Sequence, residues 1–213
     1  TKDGLKQLLA NKKFQAAEIV SGLSVEDLCK SAKFPFQFDY GDKDKDGLPG
    51  TKGSHGTHVA STAAGCTGIN DEVMGVAPEA QIVNMNVFKS SGGASYSDIL
   101  CALEDCIALG VDVANLSLGS DAGYVDYDTE DEWTKNLLNV FEKVGESGTS
   151  LAVAAGNAYS AAYGDAFGGK ALATNPDYGL SSEPSTYAES MSVAAVSNAM
   201  VTSPFITVGE KKI

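Results

Sequence analysis

The sequence predicts an α/β fold built on a predominantly parallel sheet with helices on both faces, in an incomplete form. Two observations predict it. Short apolar runs of strand length alternate with amphipathic stretches of helix length, the order produced by right-handed strand–helix–strand crossovers. Two of the runs also stop at a glycine, in Leu118-Gly119 and Ala155-Gly156, and in open parallel sheets ligands collect beyond such carboxyl ends.

The elements follow in order. Residues 3–30 read as helical and somewhat separate, with Leu5, Leu8, Leu9 and Phe14 forming a partial apolar stripe. Ser24 and Asp27 have the spacing of a capping box. Residues 34–53, rich in Asp, Gly and Pro, read as a loop. Residues 80–88 form a first strand. A helix over 95–109 follows, capped by Ser95 or Ser97, turning Ile99, Leu103, Cys106 and Ile107 inward and stopping at Gly110. Residues 111–118 are a second strand. A helix over 130–144 carries Trp133, Leu137, Val140, Phe141 and Val144 on one side. Strands over 150–155 and 191–196 complete the pattern.

Composition limits the alternatives. With 213 residues the chain is one domain, or one domain with an appendage, and can bury about 70% of its unfolded surface. A 43% apolar fraction excludes a disordered chain, and no apolar run reaches the ~20 residues of a membrane span. The net charge of −13 repels a phosphate backbone, so nucleic acid is not an expected partner. The acidic run from Asp126 to Glu132 reads as a solvated helix start. Cys29, Cys66, Cys101 and Cys106 lack zinc-site spacing and read as small buried hydrophobes. They leave the redox compartment open.

Three segments carry chemistry. The only two histidines sit in Ser54-His55-Gly56-Thr57-His58, followed by a run of small residues suited to a tightly packed helix. A histidine at such a helix start, beside a loop, suits a general base. Ala154-Ala155-Gly156-Asn157 ends a strand with an asparagine whose side-chain NH2 can aim into a cleft, as an oxyanion hole requires. Asn115-Leu116-Ser117-Leu118-Gly119 presents bare backbone that can pair with an extended peptide. Each has a plainer reading: a core histidine, a turn asparagine and an ordinary strand end. A metal reading exists for Asp42, Asp44 and Asp46, the first half of an EF-hand loop for calcium. Its twelfth position is Gly53 rather than Glu, so a solvated loop competes with it.

In combination these segments resemble the subtilisin-like serine peptidases. His55-Gly-Thr-His-Val-Ala60 is similar to that family's catalytic histidine signature, with His55 in the catalytic place and His58 a structural hydrogen-bonder. Gly75-Val-Ala-Pro78 follows at the family's interval. Residues 115–119 resemble the strand lining the substrate cleft, 154–157 the oxyanion segment, and 91–97 the other substrate-pairing loop with its helix start. Residues 36–46, 175–179 and 193–196 are similar in style to the lactocepin-type cell-envelope proteinases and the complement-cleaving surface peptidases.

The resemblance implies a serine endopeptidase, extracellular or on the cell surface, that acts on proteins or peptides and requires no cofactor. It implies catalytic roles for His55 and Asn157. Ser117, Leu118, Gly119, Ala154, Ala155 and Gly156 would line the substrate site. It divides the chain into lead-in helices and an acidic loop (1–53), the central part of a catalytic domain (54–200) and a lead-in to an inserted protease-associated domain (201–213). Oligomeric state is left open.

The sequence departs from the family in two respects. It has no apolar strand ending in Asp-Ser/Thr-Gly before His55, and no Gly-Thr-Ser-x-Ala-x-Pro nucleophile signature. The expectation is therefore an internal piece of a longer enzyme, inactive alone, with an unpaired sheet edge. The contrasting expectations are a peptide-binding pseudopeptidase of the same fold and a calcium-stabilised interaction domain.

Overall fold

The computed structural model of the chain describes residues 1–11, 13–47, 53–66, 74–120, 123–157 and 181–195, with the backbone of two short strands at 207–208 and 211–212. Residues 175–179, likened above to surface proteinases, lie outside the described residues, as do Val196 and most of 201–213.

The lead-in is three short helices rather than one continuous stretch: α1 (Lys2–Leu9), α2 (Gln15–Ile19) and α3 (Val25–Leu28). Asn11 and Gly22, in the joints between them, are poor helix residues. The capping box at α3 is present in full: Ser24 Oγ accepts from the Asp27 amide and Asp27 accepts from the Ser24 amide.

The segment read as a loop before His55 contains a strand, β1 (Phe36–Asp39), with every residue buried. It pairs in parallel with β2 (Val83–Asn86), Phe36 opposite Val83 and Asp39 opposite Asn86. Burial of Asp39 is made tolerable by two donors, the Asn86 side chain and the Asp42 amide at 2.8 Å. Desolvation nevertheless pushes its carboxyl above the usual range.

After α4 (His55–Ala64) and β2 comes α5 (Tyr96–Leu109), capped by Ser95 and ended by Gly110 in the left-handed region at φ 65°. Strand β3 (Val113–Leu116), helix α6 (Glu132–Glu146), β4 (Ser150–Ala154) and β5 (Ser190–Val193) follow. Asp131 caps α6 through the Thr134 amide at 2.8 Å, so the acidic run does begin a helix. β3, β4 and β5 form one parallel ladder with β4 central. Strands β6 (Thr207–Val208) and β7 (Lys211–Lys212) form an antiparallel pair.

The inward side chains of β3 and β4 (Ala114, Leu116, Leu151 and Val153) join Leu137, Val140, Phe141 and Val144 of α6 in the core. The opposite face of the same sheet shows Val113, Met191 and Val193, all more than half exposed. A second part of the core holds Phe14, Phe36, Phe38 and Tyr40, with edge-to-face ring pairs Phe14–Phe36 and Phe38–Tyr40. Each such fully buried ring is worth roughly 2–3 kcal/mol of burial. Among the described residues no ladder joins β2 to β3, so each leaves one edge unpaired.

Asp105 pins the lead-in to this body. It is fully buried on α5 and accepts from the Gln15 amide (2.7 Å), the Ala16 amide (2.8 Å) and the Tyr40 hydroxyl (2.7 Å). The cysteines differ from expectation. Cys106 is buried, Cys29 and Cys101 are half-buried, Cys66 is exposed, and all four are free thiols. Cys66 follows the end of α4, a helix that is itself at the surface. Among the described residues no helix is long and apolar enough to cross a membrane.

Candidate active site

His55 opens α4 and comes to the carboxyl end of β3. Its Nε2 lies 3.0 Å from the Ser117 carbonyl oxygen. A carbonyl only accepts, so in this arrangement Nε2 carries the hydrogen. Ser117 follows β3, and Asn157 follows β4, the neighbouring parallel strand. Both residues therefore lie beyond the carboxyl ends of neighbouring parallel strands, on the same side of the sheet. His55 and Asn157 are both exposed.

The expected packing of α4 differs. Its small residues are mostly at the surface, and Ala64 alone is buried. His58 is exposed and its ring holds no hydrogen bond among the described residues; its carbonyl accepts the Thr62 hydroxyl instead. The segment beginning at Gly75 folds back on the end of this helix. The amides of Gly75, Val76 and Ala77 donate to the carbonyls of Gly65, Thr62 and Ala63, which gives partners to two carbonyls of the helix's last turn and to its cap.

The segments expected to line a substrate site converge on a residue that sequence reasoning missed, Ser182. It is buried, and its amide donates to the Ala155 carbonyl at 2.8 Å. A Cβ on Gly156, whose φ is +100°, would fall 1.8 Å from Ser182 Oγ, and one on Gly119 would fall 3.1 Å from Ser182 Cβ. Ser182 thus sits against both glycines, which have no side chain to be displaced. The next residue, Glu183, exchanges two backbone hydrogen bonds of 3.0 Å with Ser120. Nothing in the sequence near Ser182 announces these contacts, because they join it to segments about 26 to 63 residues away.

Asp39 ends a buried strand, but it does not orient His55. Its carboxylate is committed to Asn86 and Asp42, and no hydrogen bond or ion pair among the described residues joins it to the imidazole. The acidic loop is likewise engaged in hydrogen bonds. Both oxygens of Asp42 accept from the Ser90 amide and Asp44 accepts from the Asp46 amide. Among the described residues no three His, Cys, Asp or Glu side chains are grouped to hold a metal ion.

Beyond Ser120 the same edge opens into a cavity of about 240 Å³ between the start of α5, the start of α6 and the 183–187 segment. Tyr96, Tyr124, Trp133 and Tyr187 form its aromatic walls.

Comparison with known proteins bears on this arrangement. The family model described as the subtilase family matches residues 26–212. The chain is 33% identical over 196 residues to a PII-type proteinase of Lacticaseibacillus paracasei, covering 85% of this chain and 10% of that protein. It is 32% identical to subtilisin NAT of Bacillus subtilis subsp. natto, over 74% of this chain and 35% of that one. It is also 32% identical to a C5a peptidase of Streptococcus pyogenes serotype M18, over 74% of this chain and 14% of that one. The chain thus spans from about a tenth to about a third of these relatives. Among solved structures, sphericase shares the fold, with TM-score 0.51 and 23% identity over 76% of this chain and 47% of that one. The chain belongs to the subtilase family.

Proposed function

We propose that this chain supplies the general base and an oxyanion donor of a serine endopeptidase. The observation that supports it most is the joint placement of His55 and Asn157 at the carboxyl ends of the adjacent parallel strands β3 and β4. In the reaction, a serine hydroxyl attacks the scissile carbonyl, His55 Nε2 takes its proton and later gives it to the leaving amine, and the Asn157 side-chain NH2 donates to the oxyanion. The peptide lies extended along Ser117-Leu118-Gly119 and Ala154-Ala155-Gly156.

The tautomer at His55 defines what the missing partners must do. With its hydrogen on Nε2, donated to Ser117, the ring cannot accept a proton there. A carboxylate at Nδ1 draws the hydrogen to that nitrogen and frees Nε2 for the nucleophile. The sequence holds neither the serine signature nor the strand that ends in the orienting aspartate, so the 213-residue chain alone is expected to hydrolyse peptides only at background. The parent protein is read as acting on proteins or peptides outside the cell or at its surface.

The test is hydrolysis of labelled casein by the polypeptide that carries this chain. On the scale measured for subtilisin, His55→Ala should lower turnover by about 10⁶. Asn157→Ala should lower it by about 10²–10³ on the same scale. Casein hydrolysis untouched by His55→Ala would overturn the assignment. Peptide binding without any hydrolysis would move it to a pseudopeptidase.

A further inference from the structure

We infer that Lys33, in the lead-in, is a positioning residue for His55: its ammonium ties residues 75–80 to the body of the fold, and that segment holds the far end of the helix that carries the histidine. The inference rests on the reading of His55 as the general base of a peptidase. It goes further by naming a residue outside the cleft on which the orientation of that base depends.

Helix α4 is held lightly. Ala64 alone among its residues is buried. Among the described residues, the hydrogen bonds that tie it to the rest of the chain lie at its two ends. At one end His55 Nε2 donates to the Ser117 carbonyl at 3.0 Å. At the other, the Gly75, Val76 and Ala77 amides reach the Gly65, Thr62 and Ala63 carbonyls at 2.8, 3.1 and 2.8 Å. Gly75 also lies directly against the helix, since a Cβ there would fall 2.6 Å from the Ala64 nitrogen and 2.8 Å from the Ser61 oxygen. No side chain fits between them, so the helix end follows this backbone. From His55 to Ala63 the helix is a lever about 12 Å long. A shift of about 2 Å at its far end tilts it by about 10°, and catalytic side chains tolerate only about 0.5 Å and about 10–20°.

Residues 75–80 are tied down by one side chain. Apart from their bonds to α4 and the turn bond from the Ala80 amide to the Ala77 carbonyl, their described hydrogen bonds come from Lys33. Lys33 Nζ donates to the Pro78 carbonyl at 2.6 Å and to the Ala80 carbonyl at 2.5 Å, one on each side of Glu79. Bonds from an ionised donor are about twice as strong as neutral ones. The backbone around the lysine is fixed in its turn. The Lys33 carbonyl accepts the Ile82 amide at 2.8 Å, and the Ala32 carbonyl accepts the Gln81 side chain at 2.7 Å. Shortly after, Phe36 begins the buried strand β1 and pairs with Val83 of β2. The tie therefore runs from the β1–β2 ladder, through Lys33 and the 75–80 backbone, to α4 and His55.

His55 and His58, the chain's only histidines, give the readout and its internal control, because both lie on α4 and His58 is exposed. Their imidazole resonances are followed by NMR at fixed pH in the full chain and its variants. Lys33→Met keeps the stem and loses the donors; it should shift or broaden the His55 signals and leave those of His58 in place. Lys33→Gln, shorter and uncharged, should act in the same direction, and circular dichroism identifies which variants are folded. Lys33→Arg keeps charge and donors and should restore the His55 signals. Asp105→Asn, which loosens the lead-in elsewhere, should not disturb them. In the polypeptide that carries this chain, Lys33→Met should lower kcat on labelled casein by about 10–100-fold, the size of effect a misplacement near 1 Å produces, with KM within about twofold. Lys33→Arg should recover most of that loss. Unchanged His55 signals in a folded Lys33→Met or Lys33→Gln, an equal change at His58 or in Asp105→Asn, or turnover lost with no change at His55 would each overturn the inference. Failure of the peptidase reading would show separately, as casein hydrolysis absent or indifferent to His55→Ala while the His55 signals still follow Lys33.

Discussion

At the scale of single residues, Asp105 joins three segments that are far apart in sequence. A carboxylate offers acceptors to two amides and a hydroxyl at once, and an asparagine does not. In Asp105→Asn the NH2 would face a backbone N–H of Gln15 or Ala16, or the Tyr40 hydroxyl would lose its acceptor. An unsatisfied buried donor costs about 1–3 kcal/mol, and urea unfolding should show a loss of that size. The dependence on pH has a definite sign. Burial outweighs the three hydrogen bonds and pushes the Asp105 carboxyl up to about 6, against roughly 3.9 in an unfolded chain. The native state thus holds the proton more tightly, and the stability this contributes is complete below pH ~4 and lost as pH rises through ~6. The wild-type advantage over Asp105→Asn should therefore shrink between pH 4 and pH 6; an advantage that grows over that range would reverse the account.

At the scale of elements, α6 shows how one helix lines both the core and a surface cavity. Phe141 is fully buried and packs edge-to-face on Tyr187 with ring centres 4.8 Å apart, while Trp133 stands near the helix start at the cavity mouth. Phe141→Ala should cost about 3–5 kcal/mol, since a large buried ring leaves a cavity that closes only partly. Trp133→Ala, on an exposed position, should stay within about 0.5 kcal/mol. Chemical denaturation of the two variants side by side tests the assignment, and comparable losses would refute it. This helix was legible in the sequence because its apolar residues recur at helical spacing after an acidic run; α5 was legible from the same spacing between Ser95 and Gly110. Strand β1 was not. Phe36-Gln-Phe-Asp39 is four residues long, follows a proline and has no β-branched residue. What makes it a strand is its partner β2 and the Asn86 side chain that donates to Asp39, 47 residues away. The site divides the same way. His55, Asn157 and the glycine-ended strands could be read from local pattern, but the contact of Ser182 with Gly119 and Gly156, and the cavity next to it, exist only once distant segments meet.

At the scale of the whole molecule, the sheet architecture sets where the structure is weakest. β4 is hydrogen-bonded on both sides, to β3 and β5, whereas β2 and β3 are each paired on one side only among the described residues. Two ladders that share no strand are held together by side-chain packing through α5, which meets α1 and α2 on one flank and α6 on the other. Non-directional packing of that kind gives less protection to a backbone amide than a strand partner does, and local opening draws on the least-contacted elements first. An unpaired strand edge is also a template for association. Amide hydrogen exchange on the 213-residue chain should therefore show β4 as the slowest-exchanging strand. β2 and β3 should exchange faster than it by at least an order of magnitude, and the melt should be broad and at low temperature rather than sharp. Uniform protection across β2, β3 and β4 would mean that the two ladders behave as one continuous sheet. The open edges beside His55 would then not be the soft part of the fold, and the histidine would already sit on the rigid support that a general base needs.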